Sequence, residues 1–394
     1  MARLRFLTAG ESHGPGLTGI LEGLPAGLPV SAAAIDRELA RRQRGFGAGG
    51  RMRIERDQVQ ITAGVLAGRT TGAPMALTLA NLDHAHWRDR DIPPMTVPRP
   101  GHADLTAAVK YGYPDLRFGL ERASARETAM RVALGAVAKQ LLTEFGIHLG
   151  GYVVSLGTAA AALGEPSPDG AVYAARCASA EQNDVRCPVP EAVEPLRAAV
   201  QGAIAARDTL GGVIEVAAWG LPPGLGSHVH WDRRLDTRCA AALCSIPAVK
   251  GVEFGVGFAV TTRFGTAAQD ALEVHDGVLR HRTNRAGGLE GGISNGAPLV
   301  LRAALKPIAS TLTPQDSVDL ATGQAAAARY ERSDICQVPR AVPIAEAVLA
   351  LELADALLEK LGGDSLDELR QRFALLRGAD LRSLPMHNQP WRFD

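Results

Sequence analysis

Apolar positions along the chain switch between two periods. Val59, Ile61, Ala63 and Val65 alternate with their neighbours, as do Met75, Leu77 and Leu79, which predicts two strands with one buried face each. Arg3–Ala9 reads as a short strand entering a glycine-rich turn, Gly10-Glu-Ser-His-Gly14-Pro-Gly16. Ile35 and Leu39, one helical turn apart behind the N-cap candidate Ser31, predict a helix from Ser31 to Arg44. Its last turn holds Arg37, Arg41, Arg42 and Arg44, which suits the negative end of the helix dipole. A stronger helical pattern starts at Ser124: Ser124 and Glu127 form a capping-box pair, then Met130, Val132, Leu134, Val137, Leu141 and Leu142 follow up to Gly146. Strands are predicted at Val213–Trp219 and at Val252–Val260, where Val252, Phe254, Val256, Phe258 and Val260 share a face. A final helix is expected from about Pro343 to Leu361, ending at Gly362. Asn81 to Pro100 is polar and proline-rich and reads as a long surface loop. Strands and helices mix with no repeat and no dividing linker, so the expectation is a single large α+β domain over residues 1–394, with a core at about 4–361 and a tail at 362–394.

Composition narrows the function. Hydrophobic residues make up 46% of 394 and charged residues 21%, which supports a folded core. Lysine plus arginine equals aspartate plus glutamate at 42 each, so a general nucleic-acid or membrane binder is disfavoured. No apolar run reaches membrane-spanning length, and the start MARLRFLTAGESHG lacks a signal-peptide core. Five widely spaced cysteines (Cys177, Cys187, Cys239, Cys244, Cys336) without a C-x-x-C pair argue against a disulfide framework or zinc knuckle. A reducing cytoplasm is expected, with Cys239 and Cys244 read as buried free thiols on a helix.

Several motifs fail their context. Gly45-Phe-Gly47-Ala-Gly-Gly50 matches G-x-G-x-x-G, but a helix precedes it and a strand-like stretch follows, the reverse of a dinucleotide site. What remains is a glycine loop flanked by Arg41, Arg42, Arg44, Arg51 and Arg53, whose guanidinium groups can grip phosphate or carboxylate oxygens. Asp83-His84-Ala-His86 offers no further metal ligands and reads as a polar loop with exposed histidines. His228-Val-His230 has strand spacing but no carboxylate cluster. No metal is expected.

Three constellations carry chemistry. Gly10–Gly16 sets His13 in a turn whose glycines let a ligand approach the backbone. Arg99-Pro-Gly-His102-Ala-Asp104 places a second histidine at a tight turn, with a carboxylate two residues on to orient it. Glu121-Arg122-Ala-Ser124-Ala-Arg126-Glu127 puts two arginines and a serine at a helix N-terminus, an anion site. Together they describe anion clamps with two acid–base histidines. Two other readings compete: a nicotinamide-linked dehydrogenase, opposed by the strand–helix order, and a nucleic-acid module, opposed by zero net charge and the lack of interleaved aromatics.

These stretches, with Gly49–Glu55, Val249–Gly255, Gly287–Gly296, Lys306–Ile308 and Glu331–Asp334, resemble the chorismate synthase family in sequence and order. The resemblance implies a β-α-β sandwich, a homotetramer, and a shikimate-pathway lyase. It implies anti 1,4-elimination of phosphate from 5-enolpyruvylshikimate 3-phosphate, giving chorismate with reduced FMN required. By resemblance Arg42, Arg51, Arg99 and Arg126 are substrate clamps. His13 protonates the leaving phosphate, His102 protonates the flavin near N1, and Asp334 assists at N5. The flavin contacts implied are Arg122, Ala123, Ser124, Pro247, Ala248, Gly291, Lys306, Pro307, Ile308, Ala309, Ser310 and Arg332. The chain departs from many relatives at Ala48 and Ala123 and from some at Pro247, which stand where those relatives carry arginine, serine and asparagine, and its Asn81–Pro98 loop is shorter than in many. The Ala48 change weakens the case for a nicotinamide contact, and NADPH stays open as a reductant. The tail from Asp364 has no assigned role.

Overall fold

A computed structural model describes residues 4–49, 55–331, 333–384 and 386–393. The chain opens with the hairpin β1 (Arg5–Ala9) and β2 (Gly16–Glu22), then helix α1 (Ala32–Gln43) and β3 (Val59–Ala63). A small ribbon, β4 (Val65–Leu66) with β5 (Arg69–Thr70), leads into β6 (Met75–Ala80). The first sheet is antiparallel in the order β1-β2-β6-β3. Leu17 and Leu21 of β2 and Met75, Leu77 and Leu79 of β6 are buried on one face, those of β6 as their alternation predicts.

Helices α2 (Asp104–Tyr111), α3 (Arg117–Ala123) and α4 (Thr128–Thr143) come next. They are followed by β7 (His148–Leu156), β8 (Ala159–Ala160), α5 (Gly170–Ala180), α6 (Pro190–Ala205), β9 (Gly212–Trp219), α7 (Leu235–Cys244) and β10 (Val249–Phe254). After the one-turn α8 (Gly265–Ala268) stand two short hairpins, β11 (Leu272–His275) with β12 (Val278–His281) and β13 (Leu289–Glu290) with β14 (Ile293–Ser294). Strand β15 (Leu299–Leu305) completes the second sheet, β10-β15-β9-β7-β8, all antiparallel. A last ribbon, β16 (Asp316–Asp319) with β17 (Gln324–Ala327), precedes α9 (Val338–Leu361) and α10 (Leu366–Ala374).

The main layers are sheet, helices, sheet. Helix α4 packs on β2 and β6 and against α9, and α9 packs on β7 and β9, with α1 and α7 flanking it. Helix α9 is therefore buried around nearly its whole circumference, which explains its apolar sequence. The two long helices cross with no room to spare: a Cβ added at Gly135 would lie 2.4 Å from the Ala347 Cβ.

Charge also ties this layer together. Glu346 of α9 is fully buried and accepts bonds from Arg41 of α1, at 2.6 and 2.8 Å, and from Lys139 of α4. Glu38 accepts from both cations, at 2.7 Å each, and Glu181 accepts from Arg41. Burial opposes ionisation of Glu346, but Arg41 and Lys139 outweigh it and hold the carboxyl below its usual range.

Several expectations need correction. The strand read over Val59–Val65 ends at Ala63, where Gly64 turns the chain with φ 83° and sends Val65 into β4, and none of Val59, Ile61 and Ala63 is fully buried. Helix α9 starts at Val338, not Pro343. Pro343 lacks the N–H that would bond the Pro339 carbonyl, and Arg186 Nη1 donates to that oxygen instead, at 2.6 Å. Strand β10 stops at Phe254; Gly255 and Gly257 take positive φ (57° and 54°), and Gly257–Thr262 forms a 3-10 turn, so Val256, Phe258 and Val260 leave the sheet. His228–His230 is a bend rather than a strand. Cys239 is buried as expected, but Cys244 is exposed.

Candidate active site

One cavity of about 530 Å³ opens where the starts of α4 and α9 meet the loops at 12–13, 99–103, 244–250 and 306–310. Its described walls carry fixed positive charge on Arg42, Arg99, Arg126, Lys250, Lys306 and Arg340, against the carboxylates of Glu331 and Asp334. A chain of zero net charge thus concentrates cations at one place.

His13 sits in the β1–β2 turn, which Gly10 opens with φ 115°. The turn is pinned from outside: Asn81 Nδ2 donates to the carbonyls of Glu11 and Gly14 at 3.0 and 2.8 Å. His84 Nδ1 lies 2.8 Å from the His13 carbonyl, so His84 belongs to the scaffold and is not the exposed loop residue expected. The His13 ring packs against Trp87 at a tilt of 40°, with centroids 4.1 Å apart. The 81–98 loop is therefore not wholly superficial: Asn81, Asp83, Met95 and Arg99 beside it are buried, and Trp87 lines the cavity.

His102 follows the tight turn at Gly101, and Asp104 does orient it, with Oδ1 2.5 Å from Nδ1. Arg99 grips the same carboxylate through Nε and Nη2 at 2.8 and 2.9 Å. Burial works against ionisation of Asp104, but the bonds from His102 and Arg99 outweigh it and hold the carboxyl well below its usual range. Lys306 donates to the Gly101 carbonyl and so fastens this turn to the 306–310 segment.

The arginines divide in use. Arg126 is buried and committed: Nη1 meets Asp57 at 2.7 Å and Nε donates to Asn81 at 2.7 Å. Arg42 donates through Nε and Nη2 to Thr128 Oγ1 and through Nη2 to the Ala125 carbonyl. Its Nη1 is buried with no hydrogen-bond partner among the described residues. Burial, then repulsion from Arg340, pushes the Arg42 guanidinium down to about 9, against the pull of Asp57. Arg122 turns away from the cavity to Thr8, donating to its carbonyl and hydroxyl at 2.9 Å each. The capping box expected at Ser124 is absent as such: Ser124 accepts from the Arg126 N–H, but Glu127 bonds Thr8 and Arg131 instead. Arg51 and Arg332 lie outside the described residues.

Asp334 is held by the glycine loop. The Gly49 N–H donates to Oδ1 at 2.7 Å, and Arg340 Nη1 donates to Oδ2. Ala123, Ser124, Pro247, Ala248 and Lys306–Ser310 all line the cavity. Ala248 takes φ 72° and accepts from the Lys306 N–H at 2.9 Å, which locks those two segments edge to edge. Ser310 spends its hydroxyl on the Glu331 backbone, donating and accepting at 2.9 Å. Gly291 does not reach the cavity; it lies in the β13–β14 turn beside His228. Among the described residues no cluster of histidine, cysteine or carboxylate side chains is placed to hold a metal ion. Trp87, Gln337 and Arg340 also line the cavity without any sequence motif marking them, and so does Cys244, read from the sequence only as a helix thiol.

An α+β chain that sets two carboxylate-bonded histidines in the wall of a cationic cavity has the layout of an enzyme site suited to a small anion. The family profile of chorismate synthase matches residues 4–358. The chorismate synthase of Symbiobacterium thermophilum is 52% identical over 386 residues, covering 94% of this chain and 97% of that one. That of Trichlorobacter lovleyi is 50% identical over 385 residues, with 93% and 97% covered. A crystal structure of chorismate synthase superposes with a TM-score of 0.79 at 43% identity, over 94% of this chain and 96% of the other. The chain belongs to the chorismate synthase family, and it is a lyase of the shikimate pathway.

Proposed function

We propose that the cavity binds 5-enolpyruvylshikimate 3-phosphate beside reduced FMN and eliminates the phosphate. The 3-phosphate leaves with its bonding electron pair, a proton leaves C6, and the ring gains a conjugated double bond to give chorismate. The observation that carries this reading is the pairing of surplus fixed cations with two carboxylate-bound histidines around a single cavity. A substrate with two carboxylates and a phosphate monoester requires such a surplus to leave water.

Charged walls divide the work. Arg42 Nη1, 4.0 Å from Asp57 and without a hydrogen-bond partner among the described residues, would take one substrate oxygen, since a buried guanidinium N–H that lacks a hydrogen bond is costly until an anion arrives. Arg42→Lys removes that donor together with the fork that holds Thr128 and Ala125. Its KM for the enolpyruvyl substrate is expected to rise about 10- to 100-fold, the scale of a lost charged hydrogen bond, with kcat less affected. Steady-state kinetics on the variant checks this. Arg99 and Arg126, engaged by carboxylates, contribute field and shape in this reading, and Arg51 completes the proposed clamp set.

The flavin would lie against Ala123, Pro247, Ala248, Pro307 and Ala309, which line the cavity with small side chains and backbone, with Lys306 and Lys250 also in the lining for phosphate or an anionic ring. Ser124, Ile308, Ser310, Arg122, Gly291 and Arg332 complete the proposed contact set, Arg122 only if it leaves Thr8 and Gly291 only if its turn moves or meets another copy. When bound, reduced FMN would supply transient electron density to the allylic system, with no net redox change. The chain's own groups would do the rest: His13 would hand a proton to the departing phosphate, His102 would hold a proton against the ring, and Asp334 would assist at N5, on whose side the C6 proton is taken up.

The helical layer shared by both sheets supports reading residues 1–394 as one domain. Exposed Leu7 and Ile20, paired across β1 and β2 on the outer face of the first sheet, give a second copy an apolar surface, which supports a homotetramer. The biosynthetic family supports a cytoplasmic setting, and no helix among the described residues is long and apolar enough to cross a membrane. NADPH is proposed as one source of flavin reduction, tested by aerobic turnover with NADPH alone. The decisive experiment for the lyase supplies the substrate and photoreduced FMN under anaerobiosis. Phosphate and chorismate are expected in equal amounts, and no phosphate from folded protein would overturn the assignment.

A further inference from the structure

Glu121 stands at the end of α3, 108 residues from His13 in sequence, and binds it twice. Its Oε2 accepts the His13 backbone N–H at 2.7 Å, and its Oε1 lies 2.7 Å from His13 Nδ1. The Glu121 carbonyl adds a third bond, accepting the Ser12 N–H at 3.1 Å. Burial opposes ionisation of Glu121, but the two bonds from His13 outweigh it, and Arg117 adds its charge, so the carboxyl is held below its usual range. An ionised carboxylate only accepts hydrogen bonds, so Nδ1 must carry a proton. No described residue bonds His13 Nε2, and the ring lines the cavity against Trp87.

We propose that Glu121 is the positioning residue for His13: it fixes the Nδ1–H tautomer, aims Nε2 at the substrate phosphate, and stabilises the imidazolium that donates the proton. The role rests on the elimination reading given above. Glu121 touches neither reactant and acts through the ring. The geometry also says why the residue is a carboxylate. Both oxygens face N–H donors, and an amide has one acceptor where two are needed. A glutamine must turn its NH2 group either toward the backbone N–H, loosening the turn, or toward the ring. The second choice favours the opposite tautomer, with Nδ1 bare and the proton on Nε2 of a neutral ring, which is a poor acid.

The test compares Glu121→Gln, Glu121→Ala and Glu121→Asp with the native enzyme in the anaerobic phosphate-release assay, with circular dichroism confirming the fold of each. Glu121→Gln and Glu121→Ala are expected to lose about 10²-fold in kcat, with KM for the enolpyruvyl substrate within about threefold of native. Whichever of the two folds suffices for that comparison. Glu121→Asp keeps both acceptors, retracted by one methylene, and is expected to regain at least about tenfold over Glu121→Gln. A folded Gln or Ala variant with native kcat, or one whose loss lies wholly in KM, would overturn the role. So would an Asp variant as slow as Gln, because charge would then not be what matters. Absence of phosphate release from the native enzyme is a different result: it removes the elimination reading itself, and the role with it.

Discussion

His13→Ala is expected to slow phosphate release by about 10²- to 10⁴-fold, the range for a lost general acid. A phosphate monoester leaving carbon builds up charge that a proton at neutral pH must meet, and His13 is an imidazole held at the cavity wall with its second nitrogen unbonded by any described residue. The loss should sit in kcat. Substrate binding rests on guanidinium and ammonium groups elsewhere in the wall, so KM is expected to stay within a few-fold. The fold should be intact, because the side chain is on a hairpin turn whose backbone is held by Asn81 and Glu121. Stopped assays of phosphate under saturating substrate and reduced FMN give the number. Native kcat in a folded His13→Ala protein would move the acid to another residue.

Glu346→Ala is expected to cost about 3–5 kcal/mol of folding stability, the scale for removing one member of a buried ion cluster. The truncation leaves Arg41 and Lys139, both mostly buried, facing a space without their shared carboxylate. Urea unfolding should show the midpoint falling with little change in slope. The same group gives a pH signature. Its carboxyl titrates lower in the folded chain than in the unfolded one, so its stabilisation is complete above the unfolded pKa of about 4.3 and fades as pH falls through the folded value. Between about pH 5 and 3 the native protein should therefore lose stability more steeply than Glu346→Gln. Equal slopes for the two would show that other carboxylates govern acid unfolding.

Local signals carried much of the fold. Leu77 and Leu79 alternate because one sheet face meets α4, and Ser31 caps α1 through its own side chain, which accepts from the Ala34 N–H. Where reading failed, distant groups decided. Alternation from Val252 to Val260 looks continuous, yet the chain turns at Gly255, where a Cβ would lie 1.9 Å from the Arg285 carbonyl. Proline at 343 signals a helix start until Arg186, on another segment, satisfies the carbonyl it orphans. At the site, both histidines were visible because glycine turns frame them, and Asp104 because it lies two residues away. Glu121 was visible as a letter in a motif but not as a partner, since nothing local joins residues so far apart. Arg122 and Arg126 look equivalent in sequence; only the packing of β1 and of Asn81 sends one to Thr8 and the other inward.

The tight crossing of α4 and α9 has a mechanical consequence. Both helices set out from the cavity, one just after Ala125 and Arg126 and the other just after Asp334 and Gln337, and they touch two turns or more further on, at Gly135 and Ala347. Any side chain larger than hydrogen at 135 has to part the two helices, so the spacing of these two cavity walls depends on a glycine well away from them.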